Sequence, residues 1–135
     1  MSAPSLAWLQ LALEEQEALD VKTQVNVAAR RVDVLVGEGL RAAVQPDEDA
    51  GAVVFHGALA FHQVATEEQK EALVERLGED DLDVDFAVVA SDWLAFRRIR
   101  SAGEIDSPAS LGETFHSFLA QSLDALKAAD TEGIL

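Results

Sequence analysis

Between Val25 and Phe61 apolar side chains tend to recur at every second residue, and this period of two is what most constrains the fold. Val25, Val27 and Ala29 alternate with Gln24, Asn26 and Ala28. Val32, Val34 and Val36 follow, separated by Asp33 and Leu35, and Leu40, Ala42 and Val44 resume the alternation after Gly37 and Gly39. The polar run Pro46-Asp47-Glu48-Asp49-Ala50-Gly51 leads into another β-like run, Ala52 to Phe61. Successive strand side chains point to opposite faces of a sheet, so the pattern predicts an antiparallel meander of three or four strands. Arg30-Arg31 and Gly37-Glu38-Gly39 are the expected early turns.

On both sides of the meander the period lengthens to that of a helix. From Ser5 to about Asp20, Leu6, Leu9 and Leu13 make a broad apolar face with Trp8, Leu11 and Ala12 on a neighbouring row, and Ser2 or Ser5 is placed to cap it. Thr66 and Gln69 have capping-box spacing at the head of a second helix, which Gly78 can close. Its apolar face is narrow: Leu73, Val74 and Leu77. The acidic stretch Glu79 to Asp85 then connects to a strand carrying Val84, Phe86, Val88 and Ala90. Ser91-Asp92 turns that strand into the next, Trp93 to Arg100. A last helix, starting near Ser107-Pro108 or at Ser110, presents Leu111, Phe115, Phe118, Leu119, Leu123 and Leu126, and Thr131 to Leu135 reads as a frayed tail. The predicted order is α-β-β-β-α-β-β-α in one α+β domain over residues 1–135, an antiparallel sheet with helices packed against it. Helices and strands come in blocks, which argues against a doubly wound parallel sheet.

Composition narrows the function. With 135 residues and 49% hydrophobic content, the chain can build one real core despite a net charge of −15. That charge repels nucleic acid and anionic lipid, which bind largely through neutralised phosphates, so neither is an expected partner. It suits basic or partly unfolded polypeptides, and it serves equally well as plain solubility or salt adaptation. Zero cysteines exclude a disulfide scaffold, a thiolate metal site and a Cys nucleophile. No run approaches the roughly 20 apolar residues of a membrane span, and the N-terminus lacks a basic signal region, so a cytoplasmic protein is expected.

Chemistry-bearing motifs are sparse. There is no phosphate-binding Gly loop, nucleophile elbow or His-Glu-x-x-His. The spacing of His56, His62 and His116 matches no standard metal site, and no metal or other cofactor is expected. Asp81-x-Asp83-x-Asp85 resembles the start of a calcium loop with Asp92 at the twelfth position. Phe86 stands where that loop needs Gly, so a solvated acidic connection is expected instead. Arg97, Arg98 and Arg100 form a basic cluster, read either as a site for an anion or acidic peptide or as neutralisation of nearby carboxylates and protection of a strand edge. Trp8 and Trp93 are contact candidates if they are not core. Three histidines with no Cys and no Tyr make a thin acid–base inventory, and catalysis is not expected.

Taken with size and acidity, the element order resembles the class I type III secretion chaperones, the Tir-chaperone-like family, over roughly Leu6 to Ala128. The stretch from Val32 to Leu77 carries most of the likeness. Its parts are Val32-Asp33-Val34-Leu35-Val36, Leu40-Arg41-Ala42-Ala43-Val44, the turn Asp47 to Gly51, Val53 to Leu59, and the helix opening Thr66-Glu67-Glu68-Gln69. The last helix, with Phe115, Phe118 and Leu119 before Leu123, is similar as well. The link into Phe86 departs from the family in being acidic rather than Gly-rich. The resemblance implies a non-catalytic homodimer of the bacterial cytoplasm that holds the extended N-terminal segment of a secreted effector protein in a secretion-competent state. By position it places the dimer interface at Leu73, Val74, Leu77, Phe86, Val88 and Trp93, and client binding at Leu9, Leu13, Val25, Val27 and Val34. A reading from a different class stays open: a small acidic α+β regulatory or ligand-binding domain acting on another protein partner.

Overall fold

A computed structural model describes residues 3–15, 21–37, 39–79 and 82–135. Helix α1 spans Leu6–Glu14 and is opened by Ser5, whose hydroxyl accepts the Trp8 N–H at 3.2 Å. Ser2 and residues 16–20, the expected alternative cap and last turn of this helix, lie outside the described residues. Four strands follow: β1 (Lys22–Asn26), β2 (Arg31–Gly37), β3 (Leu40–Asp47) and β4 (Ala52–Ala60). Then come α2 (Glu67–Glu79), β5 (Asp85–Val89), β6 (Trp93–Ser101), a short 3₁₀ turn and α3 (Pro108–Ala129). The chain is α+β in the expected succession, with the meander at four strands.

Local chemistry explains where these elements begin and end. The Asn26 side chain accepts the Ala29 N–H at 3.0 Å, closing a turn over residues 27–30 before β2 opens at Arg31. Val27 therefore stands in a turn rather than in a strand. At α2 the predicted capping box forms: Thr66 N–H donates to the Gln69 side chain at 2.9 Å, and Gln69 N–H to the Thr66 hydroxyl at 3.2 Å. Gly78 does not close this helix, which continues to Glu79. Ser107 caps α3 with Pro108 in its first turn, as the first of the two expected starts required.

The sheet is antiparallel throughout, in the order β1-β2-β3-β4-β6-β5. The three helices lie against one face: α1 on β1 and α3, α2 on β5 and α3, and α3 on β4. Between sheet and helices sits the core of Leu9, Leu13, Val32, Val34, Val44, Val53, Phe55, Leu73, Leu77, Leu94, Phe96, Leu111, Phe115 and Phe118. Phe118 is its hub, with ring centroids 5.4 Å from Phe96 and 6.0 Å from Phe55. Gly57 faces the Phe96 ring so closely that a Cβ there would collide with it. Glycine at that position admits the aromatic ring against the backbone.

Two polar contacts anchor the periphery. Lys70 is buried, donates to the Ser91 carbonyl and lies over the Phe61 ring. It thereby holds the β5–β6 turn, where Ala90 and Ser91 adopt left-handed backbone at φ 53° and 65°. The chain end is docked at Ile134 and Leu135, which corrects the expectation of a frayed tail. Asp130 accepts the Ile134 and Leu135 N–H groups, the Ile134 carbonyl accepts the His62 N–H, and the Ile134 side chain is buried.

Candidate functional site

Alternate side chains of every strand point away from the helices, and strand pairing arranges them in rows across the sheet. One row crosses all six strands: Gln24, Asp33, Ala43, His56, Arg97 and Asp85. The next runs Lys22, Leu35, Arg41, Ala58, Ala95 and Ala87. Trp93 pairs with Ala60 on one side and Val89 on the other. Because Ala43, Ala58, Ala87 and Ala95 are small, this face sinks in the middle into a trough of about 890 Å³ lined by those alanines, Trp93, His56 and three arginines. Such a volume falls in the range of roughly 300–1,000 Å³ typical of small-ligand sites.

The trough is cationic within an acidic protein. Arg31, Arg41 and Arg97 line it against the carboxylates of Asp33 and Asp85, while the chain as a whole carries −15. Arg31 pairs with Asp33 at 2.8 Å and Arg97 with Asp85 at 3.7 Å, both at exposed positions where ion pairs contribute little. Among the described residues Arg41 has no carboxylate partner. Arg41 pairs with Ala58 across the sheet, and its guanidinium lies 4.4 Å from the centre of the Trp93 ring.

His56 stands at the middle of the polar row, half-buried, and its pKa is held below the ordinary histidine value. Burial is the main cause, followed by the positive charges of Arg97 and Arg31. Gln45 donates from Nε2 to the Ala29 carbonyl at 3.3 Å, which turns its Oε1 towards the ring, and His56 Nε2 donates to that oxygen at 3.0 Å. Among the described residues Nδ1 has no hydrogen-bond partner.

The sequence-derived site residues fall elsewhere. Leu9, Leu13 and Val34 are buried, Val25 packs half-buried against the core, and Val27 is 75% exposed in its turn. The groove expected between α1 and the early strands is filled, because α1 packs directly on β1 and β2 to cover their apolar side. Leu73 and Leu77 are each 1% exposed in the single chain, so they offer a partner no surface. Val74, Phe86 and Val88 are half-buried on the helix side, whereas Trp93 shares a face with Val89 on the other. The six proposed interface residues therefore form no common patch.

The basic cluster also divides. Arg98 is buried among the helices, donating to the Asp83 carbonyl and the Gln121 side chain, and Arg100 pairs with Asp83. These two clamp the acidic connection, and only Arg97 faces the trough. Edge protection does not apply, since β6 lies inside the sheet. Trp8 packs half-buried against the core. His62 and His116 are exposed and lie off the trough, and no group of three or more His, Asp or Glu among the described residues is placed to hold a metal. Of the calcium-like spacing, Asp81 lies outside the described residues, and Asp83 and Asp85 pair with Arg100 and Arg97.

Arg31, Asp33, Arg41, His56 and the alanine floor were missed as a group. The signal was present in strand parity, since each lies one residue away from a core-facing position. Which of them meet was set by pairing.

No protein-family model matches the chain, the secretion-chaperone family included, and no curated protein matches it in sequence. Among solved structures, the crystal structure of YbjN from E. coli, described as a candidate transcription regulator, shares the fold. At 14% identity the two superpose with a TM-score of 0.60 over 93% of this chain and 88% of YbjN. Among the described residues no helix is long and apolar enough to cross a membrane.

Proposed function

We propose that this chain is a non-catalytic regulatory domain that takes up a ligand on the uncovered face of its sheet and acts on another protein. The observation that carries this reading is the trough itself: a ligand-sized depression with a small-residue floor, an aromatic wall and one more arginine than carboxylate among its lining residues. Asp33 and Asp85, the carboxylates there, are already paired with Arg31 and Arg97. YbjN, being described as a regulator, lends support in kind.

The effector-chaperone reading is second, favoured by exposed Leu35, Val89 and Ile99 around the same face. An extended client would then lie along that face or add a strand at β1 or β5, and any homodimer would use surface other than Leu73 and Leu77. Amide NMR titrations with a fragment library and with a library of 20-residue peptides separate the two. We expect fragments to shift the amides of Ala58, Ala87, Trp93 and Ala95. Silence with every fragment, together with peptide-induced shifts along β1 or β5, would replace the regulatory reading with the chaperone one.

A further inference from the structure

Resting on the reading of the trough as a ligand site, the geometry points to the class of ligand: we infer that it binds a small organic anion with a flat apolar body, its acid group held by Arg41. A guanidinium stacked on an indole keeps its five N–H donors in the plane of the stack, directed outward as a fork that fits a carboxylate, sulfonate or phosphate. The Arg41 guanidinium carbon lies over the Trp93 ring, and no acceptor among the described residues occupies its fork. On the strand between Arg41 and Trp93 the outward side chains are Ala58 and Ala60, both too short to separate them.

The floor sets the shape of the body. Ala58, Ala95 and Ala87 are neighbours in one row, so three adjacent strands present methyl groups where most sheets present long side chains. A planar ring system can lie flat on such a surface with its edge against Trp93. Charge sets the sign. Arg31 and Arg97 flank the floor from the polar row and share their carboxylates at exposed, weakly held pairs, so the local excess is positive. The rest of the surface is strongly acidic, which repels an acidic polypeptide along its whole length. A compact anion inside the trough lies near the arginines, and more distant charges are screened beyond roughly 8 Å at physiological salt.

The test uses 8-anilinonaphthalene-1-sulfonate and its uncharged analogue N-phenyl-1-naphthylamine, with Trp93 as the energy-transfer donor in a Trp8→Phe background. We expect saturable one-to-one binding of the sulfonate, at least tenfold tighter than that of the neutral dye. Arg41→Gln should weaken the sulfonate about tenfold and leave the neutral dye unchanged. Ala58→Leu, or Ala87→Leu on the edge strand should the first not fold, should abolish transfer from Trp93 to both dyes. Equal affinity for the two dyes, or an Arg41→Gln variant that binds the sulfonate as its parent does, would overturn the anion assignment while leaving the trough a ligand site. If neither dye binds, or if filling the floor changes nothing, the site reading itself falls with it.

Discussion

The two faces of one sheet have opposite designs. Towards the helices the strands send Val32, Val34, Val44, Val53, Phe55, Leu94 and Phe96, and the space is packed by the aromatic cluster around Phe118. Away from the helices the same strands send Arg31, Asp33, Arg41, His56, Arg97 and a patch of alanines, and the space is left open. The first face is built to exclude water and fix the fold, and its residues are interchangeable as long as volume is conserved. The second contributes little to the core, so its residues are free to be chosen for what they contact.

The sharpest way to break this contrast is to damage each face in turn. Phe118→Ala removes the hub of the covered side and should cost about 3–5 kcal/mol in urea unfolding. Ile99→Thr, on the uncovered side, should stay within about 0.5 kcal/mol. Comparable losses from the two would show that the uncovered face is itself a buried interface in solution.

A smaller effect is expected from Gly57→Ala. The added methyl group meets the Phe96 ring, which is already in contact with Phe118 and Phe86 and has little room to yield. Overpacking of this kind costs about 1–3 kcal/mol, readable as a lower midpoint at unchanged slope. A neutral result would mean that the covered side is looser than its packing indicates.

The smallest effect sharpens the picture of the uncovered side. His56 has a native pKa below its unfolded value near 6.5, so the unfolded chain binds the proton first as pH falls. The stability this group contributes is complete above about pH 6.5 and is lost as pH drops through the native pKa. Besides Gln45, the groups sharing its row or flanking it are Arg31 and Asp33 on β2, Asp85 on β5 and Arg97 on β6. The stability difference between the native chain and His56→Gln should therefore be constant above pH 7 and narrow or reverse below 6. A difference independent of pH would show that water reaches His56 freely.

Much of the covered face was legible beforehand. The alternation around Val32, Val34 and Val44 placed these side chains on one face of the sheet, and the stripe from Leu111 to Leu126 marked the apolar side of the last helix. Capping residues marked the start of α2 and offered two starts each for α1 and α3. The reading failed where a residue's role depended on what lay opposite. Leu73 and Leu77 looked like a narrow stripe in want of a partner, and α3 and the sheet supply that partner within the chain. Leu9 and Leu13 likewise close the core. The C-terminal residues, without periodicity, carried no sign that Asp130 and Ile134 would dock them.

By itself the sequence determined the kinds of element and their succession, because these follow from torsional preference and from hydrogen bonds spanning a few residues. Net charge was equally plain, but it is a sum over the chain and says nothing of where the charges stand. Only the tertiary structure decided that β6 inserts between β4 and β5, placing Arg97 beside His56, and that Arg41 meets Trp93. Strand order and register are chosen by burial of the covered face. The rows on the opposite face follow from that choice, so a cationic trough can form in an acidic chain without leaving a local pattern in its sequence.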